Sequence, residues 1–314
     1  MAVYEVFAHP ELRRYKTHLC TKATLLMFVV LFVTFIPPLF VVYRSYGFWI
    51  KEDYYRETPR VLFKKELILV LELDDTSNAG LSYLTYSTYQ RYNELQQQNL
   101  RVPVIQSRED DANGDGKNDG LIMKIEMPLL DQERVSGIKL LLFFDYRLER
   151  FSSFGMESLA YVTHDSIKSG AKYEVFGELR IKQKQALDHK GLDTRFNSSL
   201  VDSTSAYAEA YQFSTIFSNY AQRNVTTVLN APYSVWTSGR GAGQPFVFSS
   251  NISYTEDVFL YTPGFWYMVK WGWVQYVSVL LLFLFVFDRI KVFIFQNQLV
   301  TTIVEKPWKA DKFS

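Results

Sequence analysis

The sequence predicts a membrane protein in which two transmembrane α-helices flank a mainly β domain, an antiparallel β-sandwich-like fold with one helix. Two observations support this: long apolar runs lie near both ends of the 314-residue chain, and segments that alternate apolar and polar residues fill the region between them. The predicted order is a cytoplasmic tail (1–22), a first span (23–43), an extracellular or lumenal domain (44–264), a second span (265–287) and a cytoplasmic tail (288–314).

The first apolar run has no charged residue between Lys22 and Arg44. About 20 apolar residues in a helix cross the hydrocarbon core of a bilayer, so this run predicts a transmembrane helix. Pro37 and Pro38 lie late in the run, where the missing N–H groups are expected to kink its exit. The run is too long for a cleaved signal peptide, and no small-residue cleavage site follows it.

The second apolar run covers residues 265–287 and ends at Asp288 and Arg289. Lys270 lies near its first turn, from which its side chain can reach the lipid headgroups. Aromatic residues gather at the same end, as they do in the interfacial belt of membrane proteins: Trp266, Tyr267, Trp271 and Trp273. The run therefore predicts a second transmembrane helix.

Flanking charges and sequons orient the chain. Cations follow the second span, which favours a cytoplasmic C-terminus because such residues collect on the cytoplasmic side: Arg289, Lys291, Lys306, Lys309 and Lys312. Three N-glycosylation sequons, at Asn197, Asn224 and Asn251, all fall between the spans. The middle region is therefore predicted to be extracellular or lumenal.

Composition and cysteine content limit the alternatives. The formal net charge of +1 gives no reason to expect nucleic acid as a partner. Cys20 is the single cysteine and lies on the cytoplasmic side, so the lumenal domain has no disulfide. Its place beside the first span allows palmitoylation, and an unmodified interfacial thiol is the alternative.

The region between the spans contains segments with the alternation and β-branched or aromatic content of strands: 61–73, 80–89, 101–106, 121–127, 137–149, 157–164, 172–183 and 244–261. Residues 205–223 repeat apolar side chains at three- and four-residue steps, which predicts a helix. Many strands and one helix favour an antiparallel β-sandwich.

A loop between two predicted strands, DDANGDGKNDG, concentrates oxygen-bearing side chains. Such side chains repel one another, or compete for the same backbone donors, unless something positive lies among them. Counted from Asp111 as position one, the first nine positions follow the calcium loop of an EF-hand, with Gly116 at the sharp turn of position six. Position twelve is Ile122 instead of glutamate, so the pattern resembles the calcium hairpins of integrin-type β-propeller repeats. A plain Asn-Gly or Asp-Gly turn is the alternative. The candidate ligands of a structural Ca²⁺ are Asp111, Asn113, Asp115, the Lys117 carbonyl and Asp119.

We find no catalytic constellation in the sequence. His164 and His189 have no readable nucleophile or metal partner nearby, and we expect them to be structural or exposed. The SGRGAG stretch at 238–243 lacks the spacing of a phosphate-binding loop and is interpreted as a turn. The residues therefore offer no candidate catalytic site.

Long, idiosyncratic strings resemble the transmembrane protein 231 family nearly end to end. They are YEVFAHPELRRYKTHLC, FIPPLFVVYRSYGFW, RVPVIQSREDDANGDGKND, LRIKQKQ, QRNVTTVLN, PGFWYMVKWGWVQYVS and RIKVFIFQNQLVTT. The resemblance implies a protein that is not an enzyme but a component of the ciliary transition zone, in the Meckel-syndrome or B9-domain complex. This complex forms a diffusion barrier between ciliary and plasma membranes and supports cilium assembly and Hedgehog signalling. Implied partners are tectonic-type proteins, other transition zone membrane proteins, B9-domain and C2-domain proteins, and membrane lipids.

Two alternatives remain open at this point. A two-span ion channel, or an accessory subunit with a large ectodomain, would share the topology, but the spans offer few polar groups to line a pore. A tethered lumenal enzyme would need paired carboxylates or a triad, which the sequence does not show. Residues 290–304 are unusually apolar for a free tail: they lie on the membrane, dock a partner, or continue the second span as a helix.

Overall fold

The computed structural model describes Val6 and residues 13–45, 50–74 and 82–305. The chain divides into two compact units, Met1–Lys51 with Gly264–Ser314, and Glu52–Pro263. The elements are β1 (Arg14–Lys16), α1 (Lys22–Arg44), β2 (Asp53–Glu57), β3 (Arg60–Leu73), β4 (Tyr83–Ser87), α2 (Gln90–Leu95), β5 (Val104–Asp110), β6 (Gly120–Met127), β7 (Val135–Leu148), β8 (Ser153–Gln183), β9 (Leu187–Asp188), β10 (Leu192–Phe196), a 3-10 helix (Ala208–Tyr211), α3 (Phe213–Ala221), β11 (Val225–Ser238), β12 (Phe246–Ser253), β13 (Asp257–Thr262), α4 (Phe265–Gln296) and β14 (Ile303–Glu305).

Helix α1 forms where the first span is predicted, and both prolines lie inside it. It is the one helix in the described part of the chain that is long and apolar enough, by length and composition, to be a candidate membrane span. Its buried residues recur at helical spacing and form one stripe, because residues three, four and seven apart share a face: Ala23, Val30, Thr34, Pro38 and Val42. This stripe faces α4, whose Tyr276 hydroxyl donates to the Phe35 carbonyl at 3.1 Å.

Helix α4 extends beyond the predicted second span and includes Asp288 and Lys291 in its last turns. At about 1.5 Å per residue it is longer than the roughly 30 Å hydrocarbon core. Polar residues in its first half, such as Lys270 and Gln275, dilute the apolar character that distinguishes α1. A second span in α4 therefore stays a prediction.

The two tails pair beyond the helices. Gln298 adopts a left-handed conformation (φ 50°), and the Leu299 N–H bonds the Ile294 carbonyl at 3.1 Å, which closes the end of α4 and turns the chain back. Strand β14 then pairs antiparallel with β1, and the Tyr15 ring lies 5.8 Å from that of Phe295. Because β1 precedes α1 and β14 follows α4, the start of α1 and the end of α4 lie at the same end of this unit.

Residues 290–304 thus continue α4 as a helix through Gln296, and their last residues enter the strand that pairs with the N-terminal tail. Across the pair, Lys16 and Glu305 form an ion pair at 2.6 Å. The Lys16 ammonium holds the pKa of the Glu305 carboxyl below its ordinary value.

The second unit is built on a nine-stranded sheet. Seven strands follow the path β4-β3-β7-β8-β12-β6-β5, and β10 and β11 also pair with β8. Strand β8 is 31 residues long and joins the two halves of the sheet, β4-β3-β7 on one side and β12-β6-β5 on the other. Its first half pairs with β7, and its second half pairs with β12 and β11. A three-stranded sheet, β2-β13-β9, accompanies it.

Two hydrophobic clusters stabilise this unit. The larger combines inward side chains of β3 and β7 with those of β6, β12 and the second half of β8, so the two halves of the sheet share one core. The smaller covers the opposite face of β3, β7 and β8 with α2, the 3-10 helix and α3. Strand β7 is therefore buried on both faces, and each of its fully buried side chains, such as Phe143 and Phe144, contributes about 1.5–3 kcal/mol.

The predicted mainly β character is confirmed, with several differences in detail. Segments 157–164 and 172–183 form one strand, β8, and segment 244–261 forms two, β12 and β13. The predicted helix 205–223 is a 3-10 turn followed by α3, and the short helix α2 was not predicted. Residues 80 and 81 of the strand predicted at 80–89 lie outside the described residues.

Pairing is mixed rather than purely antiparallel, since β12 and β10 each pair parallel with β8, and β9 pairs parallel with β13. Strand β11 was missed because Pro232 interrupts its pattern. In the structure this proline falls where the pairing register shifts, a position at which a strand tolerates a missing N–H.

Replacing Gly170 by alanine is expected to destabilise the protein by about 1–3 kcal/mol, the usual cost of overpacking. A Cβ atom at Gly170 would lie 2.3 Å from the Trp236 ring, which is held by its bond to the Lys168 carbonyl at 3.0 Å. Thermal unfolding of the detergent-purified chain measures this. Gly155→Ala is the matched control, because a Cβ there meets no atom within 4 Å; equal melting temperatures for the two variants would contradict the packing described.

Candidate functional site

The acidic loop lies at the tip of the β5–β6 hairpin. The ladder ends at the pair Asp110–Gly120, and the Asp119 N–H closes the loop by donating to the Asp110 carbonyl at 2.7 Å. The Tyr254 N–H donates to the Asp119 carbonyl at 2.7 Å, which ties the loop to the segment after β12. The sequence therefore places the predicted calcium ligands in one short loop between two strands.

Backbone N–H groups surround the side-chain oxygens of this loop. Asp111 accepts from Gly114 and Gly116 at 2.8 and 3.0 Å, and Asp119 accepts from Ala112 and Asn113 at 2.9 and 3.3 Å. Both glycines have positive φ (71° and 82°), a conformation that side chains disfavour. These bonds fix the carboxylates inside the loop.

Asn113 and Asp115 each accept from the N–H two residues ahead, at 2.8 Å. Lys117, predicted to contribute its carbonyl, extends its ammonium to the Thr58 carbonyl at 2.8 Å. On the preceding strand, Glu109 accepts from the Phe63 N–H at 2.7 Å. The hairpin tip is thereby fastened to residues 58–63, at the start of β3.

The side-chain oxygens of the loop suit a hard cation, because carboxylate and amide oxygens are the ligands that Ca²⁺ takes. A carboxylate that accepts an N–H still retains free lone pairs for such an ion. Among the residues the structure describes, no three His, Cys, Asp or Glu side chains lie close enough together to hold a metal ion. The loop would have to tighten for its carboxylates to converge on one.

All three sequon asparagines are exposed. Asn197 follows β10, Asn224 precedes β11, and Asn251 lies within β12. The Asn224 side chain donates to Gln185 at 2.8 Å. Cys20, the candidate for lipidation, is an exposed free thiol before α1.

Four buried carboxylates were not singled out by the sequence. They are Glu57, Glu133, Glu157 and Asp257. Each accepts at least one backbone N–H, which for Glu133 comes from Leu130 in its own loop and for the others from a distant segment. All but Glu57 also pair with a cation, so these carboxylates are engaged in structural bonds. For Glu157 and Asp257 the sequence signal is an acidic residue in a largely apolar stretch of strand; Glu57 and Glu133 offer no such signal.

Glu157 shows how one buried carboxylate joins several segments. A bulge in β3, at which Lys65 takes a positive φ of 61°, directs the Lys64 ammonium to Glu157 at 2.6 Å. The other carboxylate oxygen accepts from the Leu200 N–H at 2.9 Å. One side chain therefore joins β3, β8 and the segment before α3.

Arg223 reinforces the same region. Its buried guanidinium donates to the carbonyls of Glu157, Phe196 and Ser198, each at 2.9 Å, and lies over the Phe196 ring. Three carbonyl acceptors satisfy a buried cation without a carboxylate partner. The segment that carries the Asn197 sequon is thereby held against β8.

Two other predicted features are structural. His164 stacks on Tyr173 and contacts the Trp236 ring, each with centroids 4.8 Å apart. In the SGRGAG stretch, Arg240 donates to the carbonyls of Leu130, Glu133 and Gln244, so this turn clamps the loop before β7.

An apolar helix long enough to cross a bilayer, joined to a large, mainly β domain, is the arrangement of a membrane-anchored protein. A family model described as Transmembrane protein 231 matches residues 1–304. Proteins of that name from Xenopus tropicalis and Homo sapiens are 46% and 47% identical over 303 residues, covering 96% of this chain and 96% and 95% of theirs. The chain belongs to the transmembrane protein 231 family.

A solved structure, described as a cryo-EM structure of a proton-activated chloride channel, aligns with 88% of this chain and 98% of its own at 7% identity. The TM-score of 0.23 is too low for this likeness to support any argument about fold or function.

Replacing Glu157 by alanine is expected to cost about 1–3 kcal/mol, because the Leu200 N–H loses its acceptor and the Lys64 ammonium loses one of its two carboxylate partners, keeping Glu66. Glu157→Gln retains an acceptor for Leu200 and should cost less. Thermal unfolding in detergent measures both. The surface pair Lys124–Glu126 offers the control: Glu126→Gln should change stability by no more than about 0.5 kcal/mol. If Glu157→Ala changes stability no more than this control, the bonds made by Glu157 have no structural importance.

Proposed function

We propose that the protein is a non-enzymatic membrane component of the ciliary transition zone. It contributes to the diffusion barrier between ciliary and plasma membranes, to cilium assembly and to Hedgehog signalling. Membership of the transmembrane protein 231 family carries this proposal, since the match covers almost the whole chain. The buried carboxylates support a non-enzymatic role, because their oxygens are engaged in bonds that hold segments together.

In this proposal α4 is a second transmembrane helix, and both tails are cytoplasmic. The pairing of β1 with β14 supports it, because it brings both tails to the same end of the helical unit. The outer surfaces of α1 and α4 expose large apolar side chains, such as Phe28, Phe32, Leu282 and Phe285, which a bilayer would cover. The proposed lumenal domain then carries all three sequons.

Partners divide by side of the membrane. The mainly β domain offers its surface to the ectodomains of tectonic-type proteins and of other transition zone membrane proteins. The paired tails offer a compact cytoplasmic surface to B9-domain and C2-domain proteins. Cys20, exposed at the start of α1, is the proposed palmitoylation site, which would strengthen attachment to the inner leaflet.

Localisation tests the proposed function. The full chain with a C-terminal tag, expressed in ciliated cells, is expected to form a narrow ring between markers of the basal body and the axoneme. Even labelling of the plasma membrane or the endoplasmic reticulum, with the endogenous complex intact, would contradict it. Glu126→Gln is the control variant and should localise as the wild type does. Agonist- or stretch-evoked current from purified protein in liposomes would favour the ion-channel alternative.

We also propose that the 111–119 loop binds a structural Ca²⁺ through Asp111, Asn113, Asp115, the Lys117 carbonyl and Asp119. Its attachment to the start of β3 and to the segment after β12 supports a role in folding, because an ion here would strengthen the junction of three segments. Extracellular calcium is high enough to occupy even weak sites.

Calcium should raise the melting temperature of the full chain, by an amount equivalent to about 2.7 kcal/mol at a hundredfold excess over the dissociation constant. Asp115→Asn is expected to abolish this increase, since it removes charge but keeps an acceptor for the Lys117 N–H. Asp110→Asn, at a residue paired with Arg108 outside the ligand set, should retain it. Identical melting of the wild type in calcium and in chelator would rule out the site.

A further inference from the structure

A single row of side chains crosses the outward face of the large sheet, and Asn251 lies within it. The pairing register places Asn251 beside Ile122 on β6 and beside Phe176 on β8, and Phe176 beside Tyr233 on β11. Paired residues project from the same face of a sheet. Ile122, Phe176 and Tyr233 are 43%, 46% and 72% exposed, so three large apolar or aromatic side chains face solvent around one asparagine.

Polar and charged residues confine this apolar row. On one side, the next register positions hold Lys124, Ser249 and Glu174 on β6, β12 and β8, and the half-exposed Val235 on β11. On the other side is Glu178, whose pKa is lowered by its hydrogen bond to Arg180. On β6, β12 and β8 the apolar strip is therefore about one residue wide, too narrow to supply the roughly 800 Å² per partner of a stable protein interface.

We propose that Asn251 carries an N-linked oligosaccharide whose first sugar rings cover Ile122 and Phe176. Neighbouring strands lie about 4.8 Å apart, so both side chains are within reach of the first sugars attached to Asn251. The C–H faces of these sugars stack on aromatic and aliphatic side chains. This inference rests on the lumenal placement of residues 44–264 given under the proposed function, and it assigns this face of the sheet to a glycan rather than to a partner.

In the transfer reaction, the Asn251 side-chain nitrogen bonds to C1 of the first sugar of a lipid-linked oligosaccharide pyrophosphate. The bond between C1 and the pyrophosphate oxygen breaks, and the amide gives up one proton as the lipid pyrophosphate departs. Strand β12 is hydrogen-bonded on both edges, to β6 and to β8, so the transfer takes place before these strands pair.

Site-by-site mass spectrometry of the full chain from mammalian cells, with and without glycosidase, is the first test. Glycan at Asn251 is expected. Modification of Asn197 and Asn224 with Asn251 bare would overturn the inference and leave the lumenal placement intact. Absence of glycan at all three sequons would overturn both.

Removal of the glycan without change of Asn251 tests its covering role. Ser253→Ala destroys the sequon and should lower the monodisperse fraction in size-exclusion chromatography about twofold, because the apolar strip becomes bare. Ser253→Thr keeps the sequon and should match the wild type. Adding Phe176→Thr to Ser253→Ala should restore the monodisperse fraction. Equal behaviour of the Ala and Thr variants would overturn the covering role.

Discussion

The backbone ladder along β8 is the interaction on which the second unit depends. One long strand, irregular between Asp165 and Gly170, pairs first with β7 and then with β12 and β11, so it links the two halves of the sheet. A shift of one residue would turn every inward side chain outward, because side chains alternate between faces. The shared core then requires Gly170, at the change of partners, to leave room for the Trp236 ring.

The polar features of the domain follow from this arrangement. Where chain segments cross the ends of a strand that is buried on both faces, water does not reach their backbone N–H groups. A buried N–H without an acceptor is costly. Glu157 and Asp257 fill that need, each with one oxygen on a backbone N–H and the other on a cation. The acidic hairpin loop is organised in the same way, with Asp111 and Asp119 on backbone N–H groups, so it is well ordered by its own amides before any ion is considered.

The sequence predicts those parts of the fold whose cause is local. The apolar run of α1, the alternation of β3, β6 and β7 and the turn glycines of the loop are all readable from neighbouring residues. It does not reveal that 157–164 and 172–183 are one strand, because a distorted stretch between them breaks the alternation, nor that β12 lies parallel to β8, which depends on residues far apart in sequence. The sequons were found by motif, but only the register shows that Asn251 stands between Ile122 and Phe176.

In the helical unit, one short strand pair holds the two tails together. Strands β1 and β14 have three residues each, too few to be stable alone in water, yet they join the chain before α1 to the chain after α4. Packing of α1 on α4 brings these tails together in advance, which reduces the entropy lost when they pair. The left-handed Gln298 then directs β14 back towards β1. The pairing brings the start of α1 and the end of α4 together, an arrangement that is compatible with two antiparallel spans.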